Sequence, residues 1–184
     1  MRGNMLRIIS GKYRRLLINR PPREITRPTK DNIRESIINS LRFELENKNV
    51  LDLFAGSGAL GIEMLSNGAS HCVFIEKNHN VFNILKQNIE SLKIENSNAY
   101  KSDAVAYLSN VSDAKFDFIL IDPPYKQYDL VMQVLNLIVE KNLLNNSGKI
   151  VVETDDINQI HLPNEFKNIQ IRKFGKVNII YLSK

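Results

Sequence analysis

Asp52-Leu53-Phe54-Ala55-Gly56-Ser57-Gly58-Ala59-Leu60-Gly61 is the stretch that decides the fold. Val50 to Phe54 is a short apolar run with the length of a buried strand, and the apolar positions after the glycines recur at helical spacing until Asn67-Gly68, where Gly suits the left-handed residue beyond a helix end. Strand, glycine turn and helix thus follow one another without a spacer. In such a G-x-G-x-x-G turn, glycines let the backbone bend tightly and approach a ligand, and the helix N-terminus offers free amides. Alone, the pattern is equally that of a tight turn.

Downstream the same alternation continues. Cys72 to Glu76 reads as a second strand, and Asn78 as the cap of a helix carrying Val81, Ile84, Leu85, Ile89 and Leu92 on one face. Asn98 to Lys101 makes a short third strand. Phe116 to Ile121 is nearly all apolar, as a central strand covered on both faces must be. A helix at Asp129 to Glu140 and a strand at Lys149 to Glu153 follow, and Ile169 to Phe174 and Val177 to Leu182 can pair antiparallel around Gly175. Strands alternating with helices take right-handed crossovers. The expectation is an α/β fold, a doubly wound, mostly parallel seven-stranded sheet with an antiparallel C-terminal hairpin.

Upstream the chain changes character. Residues 1–49 hold 12 Lys/Arg against 5 Asp/Glu, a net of +7 within a total of +5, so the basicity lies in the first quarter. The first 26 residues read as an arm in which Leu6, Ile8, Ile9, Tyr13, Leu16, Leu17 and Ile18 stand between basic residues, with Gly11 and Pro21-Pro22 as breakers. A small hairpin fits them. From a cap at Thr29, Ile33, Ile37, Leu41 and Leu45 mark an amphipathic helix ending near Asn47. The expected division is a basic arm and helix over residues 1–49 and a main domain over residues 50–184. Such an arm suits a polyanion, although a solvated basic surface has the same composition.

Composition narrows the rest. With 184 residues, 43% hydrophobic and 24% charged, the chain is too apolar for disorder and has no run of about 18 apolar residues to span a bilayer. Residues 1–10 lack a secretory pattern, and a single Cys72 permits no internal disulfide, in keeping with a reducing compartment. A cytoplasmic protein without membrane partners is expected. His71, His79 and His161 do not join Cys72 in any zinc-like spacing, so no metal is expected.

In an open parallel sheet, ligands bind beyond the carboxyl ends of the strands. Four features fall there. Beside the glycine turn, Glu76 closes the second strand 20 residues after Gly56, where a carboxylate can accept from a ribose diol; together these point to a bound nucleoside, either a dinucleotide or S-adenosylmethionine. Asp103 ends the third strand and can either meet an adenine amino group or cap the next helix. Asp122-Pro123-Pro124-Tyr125 follows the central strand and places a carboxylate, two residues without N–H donors and an aromatic ring at the cleft. Asp122 and the Pro123 carbonyl can each accept one N–H of a planar amine while Tyr125 stacks on its base, which aims the amine's lone pair at an electrophile.

These residues resemble those of class I S-adenosylmethionine-dependent methyltransferases acting on exocyclic amines. More narrowly, Arg7-Ile8-Ile9-Ser10-Gly11 with Arg14-Arg15, Arg27-Pro28-Thr29 followed by Arg34-Glu35 and Asn39, Asp52 to Gly61, and Asp122 to Tyr125 resemble the small single-domain bacterial 16S ribosomal RNA guanine-2-amino methyltransferases. The resemblance covers almost the whole chain; Ile38 stands where that family usually has Phe, and Arg14-Arg15 lacks its intervening Gly.

The resemblance implies a Rossmann-like domain with S-adenosylmethionine as cofactor. Asp52 and the Gly56-Ser57-Gly58 backbone would hold its methionyl part, Glu76 its ribose, and Asp103 with Ala104 its adenine, with Phe54, Ala55 and Lys77 also among the cofactor-binding residues. Asp122, Pro123, Pro124 and Tyr125 would hold the target guanine. Arg7, Lys12, Arg14, Arg15 and Arg27 would face ribosomal RNA, within the small ribosomal subunit, and the protein would act as a monomer. Two rivals use the same residues: an adenine 6-amino methyltransferase on DNA or RNA, and a non-catalytic RNA-binding or assembly protein. A nicotinamide dehydrogenase would leave Asp122 to Tyr125 idle.

Overall fold

A computed structural model describes residues 5–22, 31–124 and 126–184. The predicted cap Thr29, the candidate Arg27 and Tyr125 lie outside them. Among the described residues, seven strands form one sheet: β3 (Asn49–Asp52), β4 (His71–Ile75), β5 (Ser97–Tyr100), β6 (Phe116–Ile121), β7 (Leu144–Thr154), β8 (Asn168–Phe174) and β9 (Val177–Ser183). They stand in the order β5-β4-β3-β6-β7-β9-β8. The first five pair parallel, and β9 joins β7 and β8 antiparallel. The predicted fold class is the one observed, with the C-terminal hairpin at one edge.

Alternation along the strands divides the core into two layers. Phe118 and Leu120 face one side with Val50, Phe74 and Tyr181, and Ile119 and Ile121 face the other with Leu51, Ile75 and Ile180. Helices α4 (Ala104–Asn110) and α5 (Tyr128–Glu140) cover the second side through Leu108, Val134 and Ile138. The first side is covered by α1 (Asp31–Leu41), α2 (Ala59–Ser66) and α3 (His79–Ser91). Gly61 permits the close approach of α2 to the sheet, since a Cβ there would collide with the Phe74 ring. No helix among the described residues is long and apolar enough to cross a membrane.

The arm is a hairpin of β1 (Met5–Arg7) and β2 (Leu17–Asn19), with Leu6 opposite Ile18. Leu6, Ile8, Tyr13 and Ile18 are buried in the same layer as α1 and α2. Leu16 and Leu17, from the same apolar islands, remain 46% and 49% exposed, because Leu17 points outward with Arg7 across the hairpin. The helix expected to run to Asn47 is shorter: α1 ends at Leu41 and a 3-10 turn, Arg42–Glu44, carries the chain to Leu45, which is fully buried as its spacing predicted. β7 starts five residues earlier than expected, and its pairing with β6 shifts register between Phe116 and Phe118, which accommodates the polar Asn145 to Gly148 segment.

Candidate active site

Strand order reverses between β3 and β6, so their carboxyl ends open a crevice between neighbouring loops. A cavity of about 370 Å³ lies there. Its wall takes Asp52, Phe54, Ala55, Gly56 and Ser57 from β3 and the turn, Glu76 and Lys77 from the end of β4, Asp103 and Ala104 after β5, and Asp122, Pro123 and Pro124 after β6. Of the predicted turn residues, Gly58 does not line it. Gly58 instead faces Leu85 and Ile62 from the N-cap of α2, where its φ of 84° is left-handed backbone.

Three of the carboxylates are fixed by backbone donors. Glu76 accepts from the Gly56 N–H at 3.0 Å and the Asn78 N–H at 2.7 Å, tying the glycine turn to the start of α3. Asp103 caps α4 by accepting from the Val105 N–H at 2.9 Å, and its other oxygen lies 3.9 Å from Lys77 Nζ. Asp52 is 3% exposed and accepts from the Gly61 N–H at 3.2 Å. Burial, and then the charge of Asp122, push its pKa up to about 7, against the lowering effect of hydrogen bonds from Gly61 and Phe54. Asp52 therefore holds a proton near neutrality that an ordinary carboxylate releases far lower.

Two charged wall residues, Glu153 and Arg34, were not among the site residues expected from the sequence, although Arg34 belongs to one of the motifs that carry the resemblance. Glu153, the penultimate residue of β7, follows Val152, which is in register with Ile121 just before Asp122, and it also lines a smaller recess shared with Asp122, Pro123 and Pro124. Arg34 of α1 is 1% exposed and reaches the cavity from the opposite layer. Among the described residues, no group of three His, Cys, Asp or Glu is placed to hold a metal ion.

The arm is fastened to this site by buried polar groups. Glu63 of α2, fully buried, accepts from the N–H groups of Ile9 at 2.7 Å and Ser10 at 3.4 Å. Asn88 of α3, also fully buried, accepts from the Asn19 N–H and donates to the carbonyls of Asn19 and Ser57, each at 2.8 Å, so one side chain joins arm to glycine turn. Asn88 falls on the stripe of Val81 and Leu85, and a polar residue on an apolar stripe was the available signal. Arg7, Lys12, Arg14 and Arg15 all project exposed from the arm.

The protein-family model described as Conserved hypothetical protein 95 matches residues 6–183. The chain belongs to this family. Curated relatives match most of its length. YlbH of Bacillus subtilis is 36% identical over 161 residues, 86% of each chain. Ribosomal RNA small subunit methyltransferase D of Buchnera aphidicola is 34% identical over 164 residues, 88% of this chain and 84% of that one. The solved structure of yhhF from Escherichia coli superposes with a TM-score of 0.88 at 28% identity, covering 98% of both chains. The family read from the arm, the Arg-Pro-Thr segment and the two site motifs is the one that includes these small-subunit ribosomal RNA methyltransferases.

Proposed function

We propose that this chain transfers a methyl group from S-adenosylmethionine to the exocyclic 2-amino group of a guanine in small-subunit ribosomal RNA. The observation that carries this reading is Asp122-Pro123-Pro124 at the mouth of a cavity whose inner wall carries Asp52, the glycine turn and Glu76. The residues present fit the cofactor. Gly56 has left-handed backbone (φ 55°), and open space lies where its Cβ would stand, leaving room against the turn. The donor set is apt as well, with carboxylates for a ribose and for cationic groups, and a guanidinium for an anion. When bound, S-adenosylmethionine supplies a methyl group activated by a sulfonium.

The chain's own part is to hold the amine. A guanine 2-amino nitrogen is a poor nucleophile because its lone pair is delocalised into the ring. Asp122 and the Pro123 carbonyl accept its two N–H bonds, so the lone pair turns out of the ring plane, and the charge of Asp122 offsets the positive charge that develops on nitrogen. Tyr125 would stack on the base. The position of Glu153 favours guanine over adenine: guanine presents a ring N–H donor beside its amino group, whereas adenine presents a ring acceptor there, which a second carboxylate repels.

The reading is tested by incubating the protein with labelled S-adenosylmethionine and undermethylated ribosomal RNA, free and in 30S particles, followed by mass spectrometry of the nucleosides. N2-methylguanosine is expected. Label in N6-methyladenosine would move the reading to the adenine rival, and no label in any RNA would move it to a binding protein.

Asp52 gives the cofactor site a pH dependence. With its pKa at about 7 in the free protein, a cationic group bound beside it favours the carboxylate and lowers that pKa. Binding should therefore release a proton near pH 7, and affinity should climb as pH rises to about 7 and then level off. The stability of the free protein has the opposite sign. A folded pKa raised from 3.8 to about 7 contributes stability below pH 4 that is lost as pH rises to 7. Calorimetry in buffers of different ionisation enthalpy checks the release, which Asp52→Asn should abolish.

The arm is expected to meet phosphates. Each contact releases counterions, so RNA affinity should fall with salt, and removing Arg14 and Arg15 together should reduce the log-log slope by about 1.5 for all RNAs tested. Salt titrations of both proteins check it. An unchanged slope in a folded double variant would leave the arm as solvated surface.

A further inference from the structure

Arg34 is the least expected side chain in the cavity wall. It sits on α1, 1% exposed, and lines the cavity with Asp52 and Asp122. Its Nη2 donates to the Arg7 carbonyl at 3.0 Å and lies 3.2 Å from Asp31 Oδ1, and its Nε lies 3.9 Å from Glu63 Oε1. Nε and Nη1 have no hydrogen-bond acceptor among the described residues. A guanidinium has five N–H donors and stays charged at any ordinary pH, and burying such donors unpaired is costly. The unused donors of Nη1 therefore suit an acceptor that the described residues do not supply.

The charge of the wall says what that acceptor is. Asp52, Glu76, Asp103, Asp122 and Glu153 make the lining strongly acidic, and the cations among the described lining residues are Arg34 and Lys77. Lys77 is 59% exposed in its side chain and faces Asp103. Among the described residues Arg34 is thus the buried positive point of a negative cavity, the place where an acid ligand group is best met. The adenosine and sulfonium parts of S-adenosylmethionine carry no anion. Its amino-acid tail carries one carboxylate.

We infer that Arg34 binds the carboxylate of the cofactor's amino-acid tail and, through the Arg7 carbonyl, couples that carboxylate to the basic arm. The inference rests on the cofactor assignment above. Arg34 and Glu63 together hold the arm's backbone at Arg7, Ile9 and Ser10, so an anion that fixes the guanidinium also steadies the segment carrying the RNA-facing arginines. The site thereby senses whether the amino-acid tail is present, and the arm responds.

Two ligands separate this from a structural strut. S-adenosylhomocysteine keeps the amino-acid tail, and 5′-methylthioadenosine lacks it. By calorimetry, Arg34→Met should weaken S-adenosylhomocysteine about 10- to 100-fold and leave 5′-methylthioadenosine unchanged, with Arg34→Lys intermediate. Equal weakening of both ligands, or no weakening of either, would overturn the assignment. Hydrogen exchange on the unmodified protein needs no variant: S-adenosylhomocysteine should slow exchange at the Ile9 and Ser10 amides and 5′-methylthioadenosine should not. Identical protection by the two would remove the coupling. Failure of the unmodified protein to bind either ligand would instead strike the cofactor assignment.

Discussion

Asp122→Ala should lower turnover by about two to three orders of magnitude, the usual effect of removing one group aimed at developing charge, while cofactor affinity stays nearly intact. Asp122 stands after β6 at the mouth of the cavity, where the amine must enter, and its role begins when that amine starts to gain a methyl group. The same substitution has a second signature. Because the charge of Asp122 is one cause of the raised pKa of Asp52, its removal should move proton release on cofactor binding to lower pH. Single-turnover kinetics and calorimetry read the two effects separately. A near-normal rate in Asp122→Ala would sink the amine-holding role, and an unshifted proton release would place the two carboxylates too far apart to interact.

Glu63→Leu should cost about 3 to 5 kcal/mol of folding stability, since it strips the partner from a buried charge. The carboxylate is fully buried, faces Arg34, and receives the Ile9 and Ser10 N–H groups, so its loss leaves two amides without their acceptor and a buried guanidinium without its buried counter-charge. Against a typical total of about 5 to 15 kcal/mol, that is a large fraction. Glu63→Gln keeps an oxygen for the amides and should cost less. Urea unfolding of both variants without ligand measures the difference. A loss below about 1 kcal/mol for Glu63→Leu, the level of an exposed pair, would mean that the arm is held without Glu63, by its apolar contacts and its ties to Ser66 and Asn88.

Much of the fold was written locally. Phe116 to Ile121 could only be a doubly covered strand, Asn78 capped its helix by accepting from the Asn80 and Val81 N–H groups, and the final hairpin turned at Gly175, where φ is 63°. The candidate site was legible for the same reason, because strand ends and turns put Asp52, Glu76, Asp103 and Asp122 on adjacent loops. Arg34, Glu63 and Asn88 were not legible as site supports. Each is a polar residue within an amphipathic helix, and their partners in the arm lie 27 to 69 positions away, beyond any local pattern. The early start of β7 was hidden likewise: Leu144 stands five residues before Lys149, and only its pairing with Phe116 across the irregular Asn145 to Gly148 segment joins it to the strand.

The ties at Ile9, Tyr13 and Asn19 run to Glu63, Ser66 and Asn88, which are 53 to 69 residues further along the chain. During synthesis at about 5 to 20 residues per second, the arm leaves the ribosome roughly 3 to 14 seconds before its acceptors exist. For that interval a basic segment with unpaired strand edges travels beside the most concentrated RNA in the cell. Its docking on α2 and α3 must wait until the glycine turn and α3 have formed, while the walls at Asp103, Asp122 and Glu153 are added to the crevice later still.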